Sequence, residues 1–365
     1  METIQPDRQP MQPAEGEPSA RFLRACRRLP VDATPVWFMR QAGRYMPEYR
    51  AVRARHSLLE IVRRPEIAAE VTLQPVRALG VDAAILFADI LLPVEPMGLK
   101  LSFAQGEGPV IGNPVRHAED VSRLRLLDAR TDLGHVMEAI RLLRRELPAE
   151  VPLIGFAGAP FTLASYMIEG GSSRSFVLTK SMMYAAPELW ESLMEKLAQS
   201  LAGYLLAQIE AGAQAVQLFD SWVGALSPQD YTRFVQPYSR QVLSAAASAG
   251  VPVIHFGTGT GAFLPELKAA GGTVIGLDWR VPLDRGWEVL GEDAAVQGNL
   301  DPVSLFAPLP VLRSHVEGVL DRAAGRPGHI FNLGHGILPG TPVEHVKAVV
   351  QMVHERTAGH SGKAA

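Results

Sequence analysis

Residues 38–55 read FMRQAGRYMPEYRAVRAR and hold five arginines, Arg40, Arg44, Arg50, Arg53 and Arg55, against one acid, Glu48. Guanidinium is planar, permanently charged and able to donate two parallel hydrogen bonds to a carboxylate or phosphate. Arg40 and Arg44 are four apart and share a face if the segment from Gln41 is helical; Gly43 is equally consistent with a loop. A solvated basic face would also collect arginines, but Arg40 ends the apolar run VWFMR (36–40). The cluster points to a local site for a ligand with several carboxylates or phosphates.

Asp89 closes a second apolar run, AAILFAD (83–89). On a strand, period-two alternation would put it on one face with Ala83, Ile85 and Phe87. A carboxylate in that setting must be paired or hydrogen-bonded; a helix N-cap or a buried ion pair would also account for it. A third pattern is FGTGTGAFL (256–264), which fits G-x-G-x-x-A through Gly257, Gly259 and Ala262. Asp278 follows about twenty residues later, as in a dinucleotide fingerprint. An NAD(P)-dependent oxidoreductase is therefore an alternative, although it leaves the arginines unexplained. The ten histidines form no H-E-x-x-H pattern and no close pair with ligand spacing, so no metal site is expected.

Eight apolar runs could position these groups: 36–40, 83–89, 151–160, 215–221, 251–257, 273–279, 294–301 and 329–336. Helical patterns such as PELWESLMEKLAQSLAGYLLAQIEAGA and PVEHVKAVVQMVHER lie between most of them. Apolar strands alternating with helices indicate a parallel sheet covered on both faces. Eight such units predict an α/β fold, a single-domain (β/α)8 TIM-type barrel. Arg40, Asp89, Ser221, Asp278, Asn299 and His335 sit at the ends of these runs. In a barrel they would collect at the C-terminal mouth, where active sites lie.

The bulk numbers fit a soluble enzyme. The chain has 365 residues, net charge -3 and pI about 6.4, which argues against general nucleic-acid binding. Its one cysteine, Cys26, allows no internal disulfide and fits a reducing, cytoplasmic setting. The longest apolar stretch, 83–92, is interrupted by Asp89 and too short to span a membrane. Residues 1–20, with four prolines, read as a disordered tail rather than a signal peptide. The barrel is expected over 21–356, followed by a flexible tail at 357–365.

MRQAGRYMPEYR and GFAGAPFTLASYMIEGG (155–171) resemble the two signatures of the uroporphyrinogen decarboxylase family. AILFADIL, QLFDSWVG, GLDWR, QGNLDP and NLGHGILP resemble further family segments in the family's order, so the resemblance runs from about Pro35 to His354. Cobalamin-linked methyltransferases share the fold but need a zinc-binding His-x-Cys and a later Cys, which a chain with only Cys26 cannot supply.

The resemblance implies conversion of uroporphyrinogen III to coproporphyrinogen III by loss of carbon dioxide from four acetates, with no cofactor. It also implies a homodimer with facing clefts. Asp89 would meet the pyrrole N–H groups. Arg40, Gln41, Ala42, Gly43 and Arg44 would line the pocket, and Arg53 matches a further family arginine, though it also reads as a surface residue on a helix. Tyr166 and Ser221 would hydrogen-bond substrate carboxylates, and His335 a propionate. Arginine is a poor general acid, so Arg40 would position a water or substrate carboxyl as proton donor. A non-catalytic tetrapyrrole-binding protein on the same fold is the remaining alternative.

Overall fold

Strands buried on both faces read as continuous apolar runs rather than alternating ones, and this sheet is built from such runs. The computed structural model describes residues 19–104 and 108–359. In chain order the strands are β1 (Ala84–Ile85), β2 (Leu101–Ala104), β3 (Gly108–Ile111), β4 (Leu153–Gly158), β5 (Ala215–Asp220), β6 (Val253–Gly257), β7 (Val274–Gly276), β8 (Ala295–Gln297) and β9 (His329–Ile330). Seven of them form one curled sheet in the order β1-β4-β5-β6-β7-β8-β9, parallel throughout, as in a TIM-type barrel. β2 and β3 form a separate antiparallel hairpin that the apolar runs did not signal.

The first expected strand, 36–40, contributes one ladder residue. Val36 bridges Phe331, with Phe331 N–H bonded to Pro35 O at 2.9 Å and Trp37 N–H to Phe331 O at 3.3 Å. On its other side Asp82 N–H donates to Val36 O at 2.8 Å, just before β1. The segment is thus bonded at both ends of the seven-stranded sheet. Asp82 reinforces the seam: its carboxylate accepts from Val36 N–H (2.7 Å) and Arg21 Nη1 (3.1 Å) and contacts His354 Nε2 (2.7 Å).

Two apolar cores follow from this layering. The larger lies between sheet and helices. The smaller joins Trp37, Ile154, Ala215, Ile254, Val274, Ala295 and Ile330, near the strand starts, to Phe22, Ala25 and Cys26 of the helix Arg21–Cys26. That helix packs against the N-terminal ends of the strands. Farther along, a chain of buried polar bonds crosses the sheet interior. Trp37 Nε1 donates to Gln297 Oε1 (3.0 Å), Gln297 Nε2 to Gln217 Oε1 (3.1 Å), and Gln217 Nε2 to Met39 Sδ (3.6 Å). Each buried polar group left without a partner would cost about 1–3 kcal/mol, so these bonds fix which strands face one another.

The helix Pro187–Ala211 binds to β4 by both hydrogen-bonding ends of buried Gln208: Phe156 N–H donates to its Oε1 (2.9 Å) and its Nε2 donates to Phe156 O (2.8 Å). The last helix, Val343–Thr357, runs one residue into the segment expected to be a tail, and Thr357 Oγ1 accepts from Thr34 N–H at 2.9 Å. At the other end Ala20 is buried. Of the expected tails, residues 1–18 and 360–365 lie outside the described residues. Among the described residues no helix is long and apolar enough to cross a membrane.

His255 on β6 and His329 on β9 are buried in the sheet, and burial lowers both to about 4. In the unfolded chain a histidine takes its proton near pH 6.5. Between pH 6.5 and 4 the unfolded state therefore binds more protons, and stability falls as pH falls. The melting temperature of His329→Gln should decline less steeply over that interval than that of the parent protein. Equal slopes by circular dichroism would mean that His329 is not held neutral in the fold.

Candidate active site

Arg40 is placed by its neighbours' backbone. Met39 N–H donates to Asn332 Oδ1 at 3.1 Å, and Met39 O accepts from Ile337 N–H at 2.9 Å. Gln41 is fully buried: its Oε1 accepts from Phe38 N–H and its Nε2 donates to Ala83 O, both at 3.1 Å. Between these anchors Arg40 adopts φ +60°, a left-handed conformation that costs a residue with a Cβ about 1–3 kcal/mol. The Arg40 side chain then lies along Gly336. A Cβ at Gly336 would stand 2.5 Å from Arg40 Cδ and 2.7 Å from Cγ. The loop after β9 and the segment that bridges β9 to β1 therefore meet at this arginine.

Asp89 is not on a strand. The ladder ends where Leu86 N–H bonds Ile154 O; Phe87 N–H turns to Thr72 Oγ1 (2.9 Å) on the helix Pro65–Leu79. The expected alternation with Ala83, Ile85 and Phe87 therefore does not govern Asp89. Instead Oδ1 accepts from Leu91 N–H at 2.8 Å and the backbone carbonyl from Leu92 N–H at 3.2 Å, a local turn that fixes the side chain. Burial raises the Asp89 carboxyl above its ordinary range, against the lowering effects of the Leu91 N–H and the Arg40 charge.

Two further groups lie in the same field. Tyr166 projects from the helix Pro160–Glu169, which Pro160 opens and Gly170 ends at φ +85°. Its phenol is pushed up to about 12, chiefly by burial and by the negative charge of Asp89, with Arg40 opposing. His335 follows β9. Burial, then the positive charges of Arg40 and Arg280, lower it to about 4 against the pull of Asp278. His335 is therefore neutral near pH 7, with one ring N–H to donate. Arg40, Asp89, Tyr166 and His335 thus form one electrostatically linked group.

The other expected residues take different places. Arg44 and Arg53 both influence Tyr49, whose ring packs on Phe87 at 5.3 Å between centroids. Arg53 ends the helix Pro47–Arg53 and donates to His56 O at 2.6 Å. Ala42 and Gly43 are half-buried beside Gln41, whose side chain is committed to the core. Ser221 is half-buried directly after β5 and accepts at its carbonyl from the Thr258 hydroxyl. Among the described residues neither Arg40 nor Arg44 belongs to an ion pair, whereas Arg63, Arg77, Arg125 and Arg130 each have a carboxylate partner.

Asp278 and Asn299, expected at the same mouth, hold loops together. Asp278 accepts from Gly259 N–H, from Arg280 N–H (2.8 Å) and from Arg280 Nη1 (2.9 Å), while Asn299 Nδ2 donates to Asp278 O and Val281 O. The acid that a dinucleotide reading assigns to a ribose is engaged with the glycine loop itself. Sequence reasoning passed over Trp222, which stacks on Tyr166 at 3.8 Å, and Trp279, whose ring meets His335 edge-on at 6.4 Å and carries Arg280 over its face at 4.0 Å. Their only signal was an aromatic residue inside QLFDSWVG and GLDWR.

A sequence model of one family, described as "Uroporphyrinogen decarboxylase (URO-D)", matches residues 17–356. Proteins named uroporphyrinogen decarboxylase are similar across nearly their whole length. That of Solibacter usitatus is 60% identical over 337 residues, covering 92% of this chain and 97% of its own. That of Carboxydothermus hydrogenoformans is 59% identical over 334 residues (92% and 95%), and that of Roseiflexus sp. 58% over 344 residues (93% and 99%). Among solved structures, a methyltransferase from Methanosarcina mazei superposes with TM-score 0.74 at 22% identity, covering 92% of this chain and 98% of that one. A B12-independent methionine synthase from Shewanella sp. W3-18-1 gives 0.56 at 11% identity, covering 80% and 88%. These two likenesses concern the fold.

The contact between Gly336 and Arg40 generates a prediction. Gly336→Ala should displace the Arg40 stem and weaken binding of a polycarboxylate ligand, while the melting temperature stays near that of the parent. Titration calorimetry alongside a thermal melt reads both. Unchanged affinity would mean that Arg40 does not reach the ligand.

Proposed function

The chain belongs to the uroporphyrinogen decarboxylase family, and we infer from that membership that it converts the four acetate side chains of uroporphyrinogen III to methyl groups, giving coproporphyrinogen III in tetrapyrrole synthesis. The observation that carries the residue-level reading is Arg40: it lies outside any ion pair among the described residues, and its charge is felt at Asp89, Tyr166 and His335. The catalytic centre on this reading lies at the C-terminal mouth of a single (β/α)8 barrel. In its support, Asp89, Ser221 and His335 all follow C-terminal strand ends, and the helix Arg21–Cys26 packs against the opposite end.

The chemistry explains the charge pattern. Protonation of a pyrrole ring carbon gives a cation delocalised onto the ring nitrogen. The acetate C–C bond then breaks, its electron pair passes into that ring, and carbon dioxide leaves. The resulting exocyclic methylene takes a proton to become the methyl group, and loss of the added ring proton restores the pyrrole. The net change is one proton taken up and one carbon dioxide released for each acetate. The substrate's own ring is the electron sink, so no cofactor is invoked.

Asp89 is the counter-charge to the cationic ring. It is fixed before the reaction by the Leu91 N–H, and it favours the cation over the neutral ground state. A guanidinium gripping the reacting acetate would hold its carboxylate and oppose carbon dioxide loss, so Arg40 and Arg44 serve the other carboxylates, with Arg53 further out on the same wall. The backbone of Gln41, Ala42 and Gly43 lines the cleft between them. Tyr166 and Ser221 donate hydrogen bonds to substrate carboxylates, and neutral His335 donates to a propionate. Arg40 also orients the water or substrate carboxyl that delivers the proton.

The protein acts as a cytoplasmic homodimer on this reading. The buried, unpaired thiol of Cys26 suits a reducing compartment. The helix Val177–Ala185 leaves Val177 59%, Leu178 43% and Tyr184 55% exposed, an apolar face suited to a second copy. Leu178→Glu should then shift the protein from dimer to monomer in sedimentation; a parent protein that already runs as a monomer would remove this assignment.

Asp89→Asn keeps the shape and one acceptor oxygen but removes the charge. Single-turnover decarboxylation should slow by about 10²–10³, the scale of one lost preorganised electrostatic contact, while substrate affinity and melting temperature change little. A well-folded Asn variant with near-normal turnover would take Asp89 out of the mechanism.

A further inference from the structure

Tyr166 stands against an aromatic column. The Trp222 ring lies 3.8 Å from the Tyr166 ring between centroids, at 31° between planes. Phe176 backs Trp222 at 5.2 Å, and Phe161 connects Phe176 (6.3 Å) to the fully buried Trp190 (6.2 Å). Aromatic rings favour such offset and edge-to-face contacts over leaving their faces bare.

The column is held at several points. Trp222 follows β5, and its backbone N–H makes a long hydrogen bond (3.4 Å) to Thr162 Oγ1. That hydroxyl donates to Asp220 Oδ1 at 3.0 Å, and both Thr162 and Asp220 are fully buried. Thr162 and Tyr166 share one helix, four residues apart, so the same helix fixes the tryptophan backbone and carries the tyrosine. From the outer side, Phe176 takes the left-handed φ of +53°, with its N–H bonded to Ser173 Oγ at 3.0 Å. Lys180 Nζ reaches Ala225 O, three residues after Trp222.

We propose that Trp222 is a positioning residue that acts through Tyr166: its indole face sets the direction of the phenol, Thr162 with Asp220 holds the Trp222 backbone, and Phe176 backs the indole. The proposal rests on the assignment of Tyr166 to the substrate site. It separates an anchored aromatic support from a wall residue that only fills space. A phenol free to swing by an ångström would lose its alignment with a substrate carboxylate, and misplacements of that size can cost about 10² in rate.

A double-mutant cycle tests it. Tyr166→Phe, Trp222→Leu, Trp222→Phe and the pair Tyr166→Phe with Trp222→Leu are assayed for kcat, KM and melting temperature with uroporphyrinogen under anaerobic, reducing conditions. Trp222→Leu keeps apolar bulk but loses the flat face, and should lower kcat/KM by about 10–100-fold. Trp222→Phe should recover most of that loss. In the Tyr166→Phe background, Trp222→Leu should cost almost nothing more, because the group it positions is already gone. Losses that multiply in the double variant, a Trp222→Phe no better than Trp222→Leu, or a Trp222→Leu variant with normal kinetics would each overturn the proposal. Tyr166→Phe with parental kinetics would instead overturn the role of Tyr166 itself. If Trp222→Leu is poorly folded, Thr162→Val supplies the same cycle from the anchoring side.

Discussion

The site depends on two backbone hydrogen bonds at Met39. The N–H goes to the side chain of Asn332 and the carbonyl receives the N–H of Ile337. They bind the segment that bridges β9 and β1 to the loop that carries His335, and they leave the next residue, Arg40, in a left-handed turn. Gln41 locks that turn from below through Phe38 and Ala83. Each such bond contributes only about 1 kcal/mol net, but an unpaired buried amide costs more. Together they hold a strained arginine that belongs to no ion pair among the described residues.

The charges around that arginine are balanced unequally. Burial works against the Asp89 carboxylate more than Leu91 and Arg40 work for it, so its pKa still rises. Burial and the nearby cations together keep His335 uncharged. The result is a fixed positive charge, a neutral imidazole and one carboxylate within electrostatic reach of one another. On the proposed reading, a polyanionic ligand whose core becomes cationic during reaction complements this group. Exposed salt bridges elsewhere, such as Arg77–Glu70, Arg130–Glu210 and Arg285–Glu288, are screened by solvent and add little. They differ from the site arginines in having their partner already.

The loops after these strands are crossed by further bonds. Asp278 ties the glycine loop after β6 to Arg280, and Asn299 ties the loop after β8 to the same turn. Arg280 rests on Trp279, whose ring edge faces His335. Trp222 and Phe176 support Tyr166 on the other side. Loops can hold reactive groups steady when they are crossed by such bonds, and here the crossings come from residues whose types alone suggested other tasks.

The order of apolar runs, the parallel sheet and the arginine motif were legible in the sequence because each depends on neighbours within a few residues. Burial on both faces makes a parallel strand apolar throughout, and seven of eight runs became sheet strands. The hairpin strands, LSFA and GPVI, mix Ser, Gly and Pro with apolar residues and so lack such a run. Which arginine enters the linked group, by contrast, rests on contacts between residues 39 and 332 and between 40 and 336, far apart in the chain. The same holds for Gln41, which the motif marks as pocket lining and the core claims as a hydrogen-bonding post. Asp89 lies beyond the strand expected to carry it because Thr72, on the helix Pro65–Leu79, takes the Phe87 N–H. The stacking of Trp222 on Tyr166 needs β5 and the helix after β4 to lie side by side. Sequence alone determined which groups were present and in what order. Tertiary structure decided which of them come together, because long-range hydrogen bonds and burial set their positions, their pairing and their charge.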